Sequence, residues 1–224
     1  MSKKQQVFQL FSRIAIMVFV FSAILLLPAQ SWAYWQAWVY LAVFFGSTIM
    51  ITFYFINHDP GLMERRLRWK EPEKQQQISQ ILLGLLFLGG LLCGGLDFHH
   101  HWLAVTPMLV FIGDIGVIAG FIFAFRVYQA NPYAGTTVEV EAGQRVISTG
   151  PYAIVRHPLY ACGLPLLIGT PIALGSYWSL LFFIPIVFAL VFRIQNEEKV
   201  LLRDLPGYRE YCQQVRWHLI PFVW

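Results

Sequence analysis

Six apolar runs, at 14–28, 34–56, 78–96, 104–128, 159–174 and 177–192, alternate with short polar connections along the chain. A helix needs roughly 20 apolar residues to cross about 30 Å of hydrocarbon. The second, third and fourth runs meet that length, and the first meets it with its flank from Val7. The last two are each barely long enough and are joined by Gly175-Ser176, so they read as a helical hairpin. Its second arm continues past Arg193 into an amphipathic segment ending near Trp217. The pattern predicts one domain, an all-α integral membrane protein of about six membrane helices, four of them within residues 1–128.

The connections differ in character. Asn57-His58-Asp59-Pro60-Gly61 breaks the second helix, and the loop at 63–77 carries Arg65, Arg66, Arg68, Lys70 and Lys74 beside Glu64, Glu71 and Glu73. Segment 97–102 has no Lys or Arg and is expected outside. The basic N-terminus, the Arg65 loop, residues 129–156 and the C-terminus then share one side. The positive-inside bias makes that side cytoplasmic, with both termini there and the inner (cell) membrane as the expected location. Ser31-Trp32-Ala33 has the small-x-small pattern of a signal-peptidase site, but further spans follow the first run, which reads as a retained helix. Gly90 and Gly94 in the third run and Gly116 and Gly120 in the fourth have small-xxx-small spacing, which predicts a tight contact between those two helices.

Residues 129–156 lose the hydrophobic period and are punctuated by Asn131-Pro132, Gly143 and Gly150-Pro151. A connection this long inside a bundle is usually functional or disordered. The regular Val138-Glu139-Val140-Glu141 and Val146-Ile147 pieces favour an ordered cytoplasmic or re-entrant segment.

Composition supports the membrane reading: 57% of residues are hydrophobic and 12% charged, against about a quarter charged in soluble proteins. The net charge of +4 sits in short loops rather than along one face, which argues for membrane orientation and against nucleic acid. Cys93, Cys162 and Cys212 are odd in number, lie in or beside helices, and read as packing residues. His99-His100-His101 lacks the i, i+4 spacing of metal ligands, so no metal is expected. Asp114, inside the fourth helix, is a functional suspect by default, with polar packing the plainer reading. Exposed apolar surface is normal for a chain facing membrane lipids and says nothing of its oligomeric state.

Two polar groups stand beside the last apolar runs. The first is Gly150-Pro151-Tyr152 leading to Arg156-His157-Pro158 and Tyr160; Gly-Pro forces a turn, and Pro158 suits the first turn of a helix. The second is Arg193, Glu197 and Glu198 on the last helix, Arg193 and Glu197 sharing a face. An interfacial belt with a snorkelling arginine and anchoring tyrosines is one explanation. A site at the membrane boundary is the other, two acids and a base being able to bind a cationic ligand and orient an anionic one.

The ordered set of Gly150-Pro151-Tyr152 through Arg156-His157-Pro158-Leu159-Tyr160, then Arg193-x-x-x-Glu197-Glu198, Leu205-Pro206-Gly207-Tyr208-x-x-Tyr211 and Leu219-Ile220-Pro221-Phe222 resembles the isoprenylcysteine carboxyl methyltransferase and phospholipid methyltransferase superfamily. The resemblance runs from Asn131 to the C-terminus. It implies a membrane-embedded, S-adenosylmethionine-dependent methyltransferase, with residues 129–224 as the cofactor-binding and catalytic portion. By motif position it implies a cofactor pocket at the cytoplasmic face lined by Gln144, Val146, Ile147, Gly150, Pro151, Tyr152, Arg156, His157, Pro158 and Tyr160. Glu197 or Glu198 would hold the cofactor. Arg193 would face a lipid-like or small hydrophobic methyl acceptor entering from the bilayer, and Arg193, Glu198 and His157 are the catalytic candidates. A carboxylate acceptor needs only an orienting cation, whereas an amine needs a base such as His157 or a glutamate. Two other readings remain open: an NADPH-dependent reductase, since sterol reductases resemble this family in their C-terminal half, and a small transporter subunit suggested by Asp114 and the glycine-rich helices.

Overall fold

The computed structural model describes residues 3–68 and 71–224; Lys70 of the charged loop lies outside the described residues. Among these the chain is helical, with no strand: α1 (Lys3–Ala29), α2 (Trp35–His58), α3 (Pro60–Leu67), α4 (Lys74–His100), α5 (Pro107–Ala130), a 3-10 turn (Gly150–Ala153), α6 (Pro158–Ala161), α7 (Gly163–Ala173), α8 (Leu180–Asp204) and α9 (Tyr208–Gln214). Five helices, α1, α2, α4, α5 and α8, are long and apolar enough to cross a membrane. The chain is an all-α, multi-pass integral membrane protein. The sixth expected span is shorter: the apolar stretch Pro158–Ala173 is divided at Cys162 into α6 and α7.

The hairpin arms face different partners. α7 packs chiefly on α5, and α8 on α4. Glycines decide both contacts, and they do not pair with each other as their spacing predicts. A Cβ on Gly113 would lie 2.3 Å from the Ala173 amide nitrogen, and one on Gly169 would lie 2.6 Å from the Gly113 carbonyl. α5 and α7 therefore touch backbone to backbone. On α4, Gly89 and Gly90 lie under Phe182 and Phe183 of α8, while Gly95 meets the Leu25 carbonyl of α1. Small-xxx-small spacing says that something comes close without naming the partner.

Polar bonds secure the two ends. At one, Tyr34 donates to the Leu174 carbonyl at 2.7 Å, Ser176 donates to Asp97 at 2.6 Å and Ser179 donates to the Gly90 carbonyl at 2.9 Å. At the other, Asp59 caps α3 by accepting from the Leu62 amide at 2.9 Å, with Pro60 at the first helical position. This cap turns α3 back across the end of the bundle. Arg13 of α1 donates there to the Leu67 carbonyl, and Gln6 to Glu64. Asp114 is buried in α5, and neither of its carboxylate oxygens has a hydrogen-bond partner among the described residues.

Candidate active site

The turn before α6 is built from its sequence. Gly150 takes φ +60°, which a side chain would strain, and Pro151 opens the 3-10 turn. The chain then pairs with the C-terminal segment: the Arg156 amide donates to the Trp217 carbonyl at 2.8 Å and the His157 amide to the His218 carbonyl at 2.9 Å. Pro158 starts α6, so Tyr160 projects one step further on. Opposite lies the end of α8, where Arg193, Glu197 and Glu198 occupy neighbouring turns.

These elements enclose a cavity of about 130 Å³ that is open on one side. Of the residues singled out from sequence, Gln144, Val146, Ile147, Tyr152, Arg156, His157, Pro158, Tyr160, Arg193 and Glu197 line it. Gly150, Pro151 and Glu198 stand outside the lining. The two turn residues shape the approach to α6. Glu198 sits behind the wall, where its Oε1 is 3.1 Å from His157 Nε2 and 3.3 Å from Arg156 Nε. A carboxylate only accepts, so His157 carries its proton on Nε2 toward Glu198.

A second network faces the cavity. Arg193 Nε donates to the Tyr160 hydroxyl at 2.9 Å, and that hydroxyl donates to Glu197 Oε2 at 2.6 Å. With Arg193 only donating, the direction of the chain is fixed: guanidinium to phenol to carboxylate. Arg193 also donates to the Gln76 carbonyl at 3.2 Å and the Thr136 carbonyl at 3.5 Å, and lies 3.8 Å from Glu71. Arg193 is 6% exposed, and its guanidinium is largely engaged by the protein. Tyr152 accepts from Asn131 at 2.8 Å through its hydroxyl, and its carbonyl accepts from Tyr211 at 2.7 Å. Burial pushes the phenols of Tyr152, Tyr208 and Tyr211 upward, so they remain protonated donors. The Tyr208 hydroxyl is buried in the cavity wall without a hydrogen-bond partner among the described residues.

His218 closes the rear of the site. Arg156 Nη2 approaches its Nε2 at 2.6 Å, and burial lowers its pKa despite Glu198. The depressed pKa favours the neutral imidazole, whose Nε2 also lies 3.3 Å from Glu198 Oε2.

Several contributors carry no signal in one sequence. Glu71 and Gln76 sit in or just after a charged connection that otherwise reads as a topology determinant, yet both are buried against Arg193. Residues 133–139 form one wall of the cavity, and Leu201, Leu205, Tyr208 and Tyr211 form another. Only the last three belong to the motif Leu205-Pro206-Gly207-Tyr208-x-x-Tyr211; the wall at 133–139 has no motif at all.

Residues 108–205, from α5 to the end of α8, match the family model of phospholipid methyltransferase. This part of the chain is similar to the phospholipid methyltransferase family. The match covers the turn, α6 to α8 and the Arg193-Glu197-Glu198 group, the elements that form much of the cavity wall. A cobalt-zinc-cadmium resistance protein of Cupriavidus metallidurans is 27% identical over 129 residues, 57% of this chain and 55% of that protein. A nickel-cobalt-cadmium resistance protein of Alcaligenes xylosoxydans xylosoxydans is 26% identical over 120 residues, 52% of this chain and 53% of that protein. The Delta(14)-sterol reductase of Mus musculus is 28% identical over 139 residues, 56% of this chain and 33% of the reductase. The chain thus spans about half the length of the two resistance proteins and a third of the reductase.

Proposed function

We propose that this protein transfers a methyl group from S-adenosylmethionine to a membrane-soluble acceptor at the cytoplasmic face. The acceptor would be the carboxylate of an isoprenoid or prenylcysteine-like compound, or a lipid amine. The observation that carries the reading is the shared cavity of the His157–Tyr160 turn and Glu197, walled largely by the segment that matches the phospholipid methyltransferase family model. The cofactor fits the residues present. Glu197 offers a carboxylate to a cationic ligand, Val146, Leu201 and Leu205 offer apolar surface to a purine, and the unpartnered Tyr208 hydroxyl offers a buried hydrogen bond.

Bound S-adenosylmethionine supplies an electrophilic methyl on positively charged sulfur, so the acceptor needs alignment and dryness more than activation. Glu197 binds positive charge, with Tyr160 fixing the carboxylate through its 2.6 Å bond. Arg193 holds Tyr160 in that direction and acts through it. His157, held by Glu198, keeps the turn against α8 and shields the cavity from the side of the C-terminal segment. With an amine acceptor, the proton released would pass to the Glu197 carboxylate; a carboxylate acceptor releases none.

Calorimetry on detergent-solubilised protein tests the reading. Binding of S-adenosylhomocysteine is expected in the micromolar range, roughly −8 kcal/mol, and His157→Ala or Glu198→Ala should abolish the signal. A folded protein that shows no binding overturns the proposal. Membranes given a labelled methyl donor should then yield one labelled lipid, protein or small product that identifies the acceptor. The partial likeness to a sterol reductase supports a second reading, reduction with NADPH; competition between NADPH and S-adenosylhomocysteine for the cavity separates the two.

A further inference from the structure

Glu71 is an unexpected member of the site. It lies between α3 and α4, outside the phospholipid methyltransferase match, and is 2% exposed. Both of its carboxylate oxygens accept from the Val138 amide, at 3.0 and 3.3 Å, and Oε2 lies 3.8 Å from Arg193 Nη2. One acid from the N-terminal half therefore holds both the 133–139 wall and the cation behind Tyr160. The neighbouring Gln76, fully buried, strengthens the clamp: its side-chain amide donates to the Arg193 backbone carbonyl at 3.0 Å while its backbone carbonyl accepts from the guanidinium at 3.2 Å.

The charge count then matters. Glu71 and Glu197 are both coupled to Arg193, Glu71 at 3.8 Å and Glu197 through the Tyr160 hydroxyl. Two carboxylates around one guanidinium leave one net negative charge on this wall. If Glu71 did not occupy the guanidinium, Glu197 would be its sole compensating acid in the network, and the wall would be neutral.

We infer that Glu71 is a positioning residue: by pairing with Arg193 it releases the negative charge of Glu197 for a cationic ligand in the cavity. This rests on the methyl-transfer reading, under which that ligand is a sulfonium. Burial raises the Glu71 carboxyl above its ordinary value, opposed in part by the Val138 amide and Arg193.

The test compares two ligands differing in one charge, S-adenosylmethionine with its sulfonium and S-adenosylhomocysteine with a neutral thioether. Dissociation constants are measured by calorimetry on wild-type protein, Glu71→Gln, Glu71→Asp and the double variant Glu71→Gln/Arg193→Gln. Glu71→Gln should weaken the sulfonium ligand relative to the thioether by about tenfold, the size of one partly screened charge at this range. Glu71→Asp should restore most of the ratio. The double variant, which again leaves Glu197 unpaired by a cation, should restore it as well, and it serves if Glu71→Gln alone unfolds. A merely structural role for Glu71 would weaken both ligands equally; an unchanged ratio in Glu71→Gln, or a double variant that fails to recover it, overturns the inference. Wild-type protein that binds neither ligand overturns the methyl-transfer reading itself, a separate result.

Discussion

His157 Nε2 lies 3.1 Å from Glu198 Oε1, so the turn before α6 and the end of α8, 41 residues apart in sequence, are joined by one side-chain contact. Glu198 also lies 3.3 Å from Arg156 and 3.3 Å from His218. It gathers three basic side chains without lining the cavity. Its loss should act first on the assembly of the site.

Glu198→Ala leaves Arg156 uncompensated in a mostly buried position. The expected loss of stability is on the order of 2–3 kcal/mol, read as a lower unfolding temperature in detergent. Glu198→Gln keeps the shape and one acceptor and should lose less. If both unfold as wild type does, the ion-paired cluster contributes nothing to the fold.

The C-terminal segment should respond to mild acid through His218. Its folded pKa is depressed below the ordinary histidine value, chiefly by burial, so the neutral ring is favoured in the folded state. Such a group contributes stability that is present above about pH 6.5 and is lost as pH falls through the lower folded value. Protection against hydrogen exchange, relative to the intrinsic rate at each pH, should fall below about pH 6.5 at the Arg156 and His157 amides, which bond to the Trp217 and His218 carbonyls. His218→Gln, which cannot charge, should flatten that response; an identical pH profile in the variant rules His218 out as its source.

Much of this site was readable because its parts are marked twice, by hydropathy and by chemistry. Polar groups at Tyr152 to Tyr160 and at Arg193 to Glu198 abut apolar runs, and a short hairpin turn requires those run ends to return to the same boundary. What the sequence hides is partner choice. Gly90 and Gly116 share a spacing, but the volumes of Phe183 on α8 and Gly169 on α7 decide what each meets. Glu71 reads like Glu73 beside it, although Glu71 is buried against Val138 and Arg193 and Glu73 pairs at the surface with Arg203. Burial of one of two acids separated by a single residue is a tertiary property with no local signature.

The α5–α7 contact should be intolerant of a single methyl group. In Gly113→Ala the new carbon would stand 2.3 Å from a backbone nitrogen, which no rotamer change can relieve. Overpacking costs about 1–3 kcal/mol in an ordinary core, and separation of two backbones should reach the upper end. Gly84→Ala is the control, because nothing lies within 4 Å of the added carbon; it should be neutral or gain roughly 0.5–1 kcal/mol from helix preference. Thermal unfolding of the two variants in one detergent checks the contrast. Equal effects would mean that α5 and α7 do not meet at these glycines.

The wall at 133–147 should open more readily when its latch to α3 is weakened. Arg65 pairs with Glu141 at 2.9 Å, and Arg68 pairs with Glu139 at 2.6 Å and Glu141 at 3.0 Å. The shortest of these is not the strongest candidate. Arg68 and Glu139 are 46% and 39% exposed, against 23% and 25% for Arg65 and Glu141, and exposed pairs are worth about 0–1 kcal/mol. Arg65 also donates to the Pro132 carbonyl and lies over the Tyr133 ring, so it holds the wall at both ends. Arg65→Ala should raise hydrogen exchange across 133–147 about three- to tenfold, and Arg68→Ala by less. High salt should narrow the gap between wild type and Arg65→Ala, since the Debye length falls from about 10 Å at 0.1 M to 3 Å at 1 M. Acid should act in the same direction: Arg65 holds the Glu141 carboxyl below its ordinary value, so the latch is intact above about pH 4.3 and is lost as pH falls through the depressed folded value. If the exchange of 133–147 is indifferent to Arg65, salt and acid alike, the wall is held by Glu71 and its own packing, and the arginines of α3 serve only the charge balance of that end of the bundle.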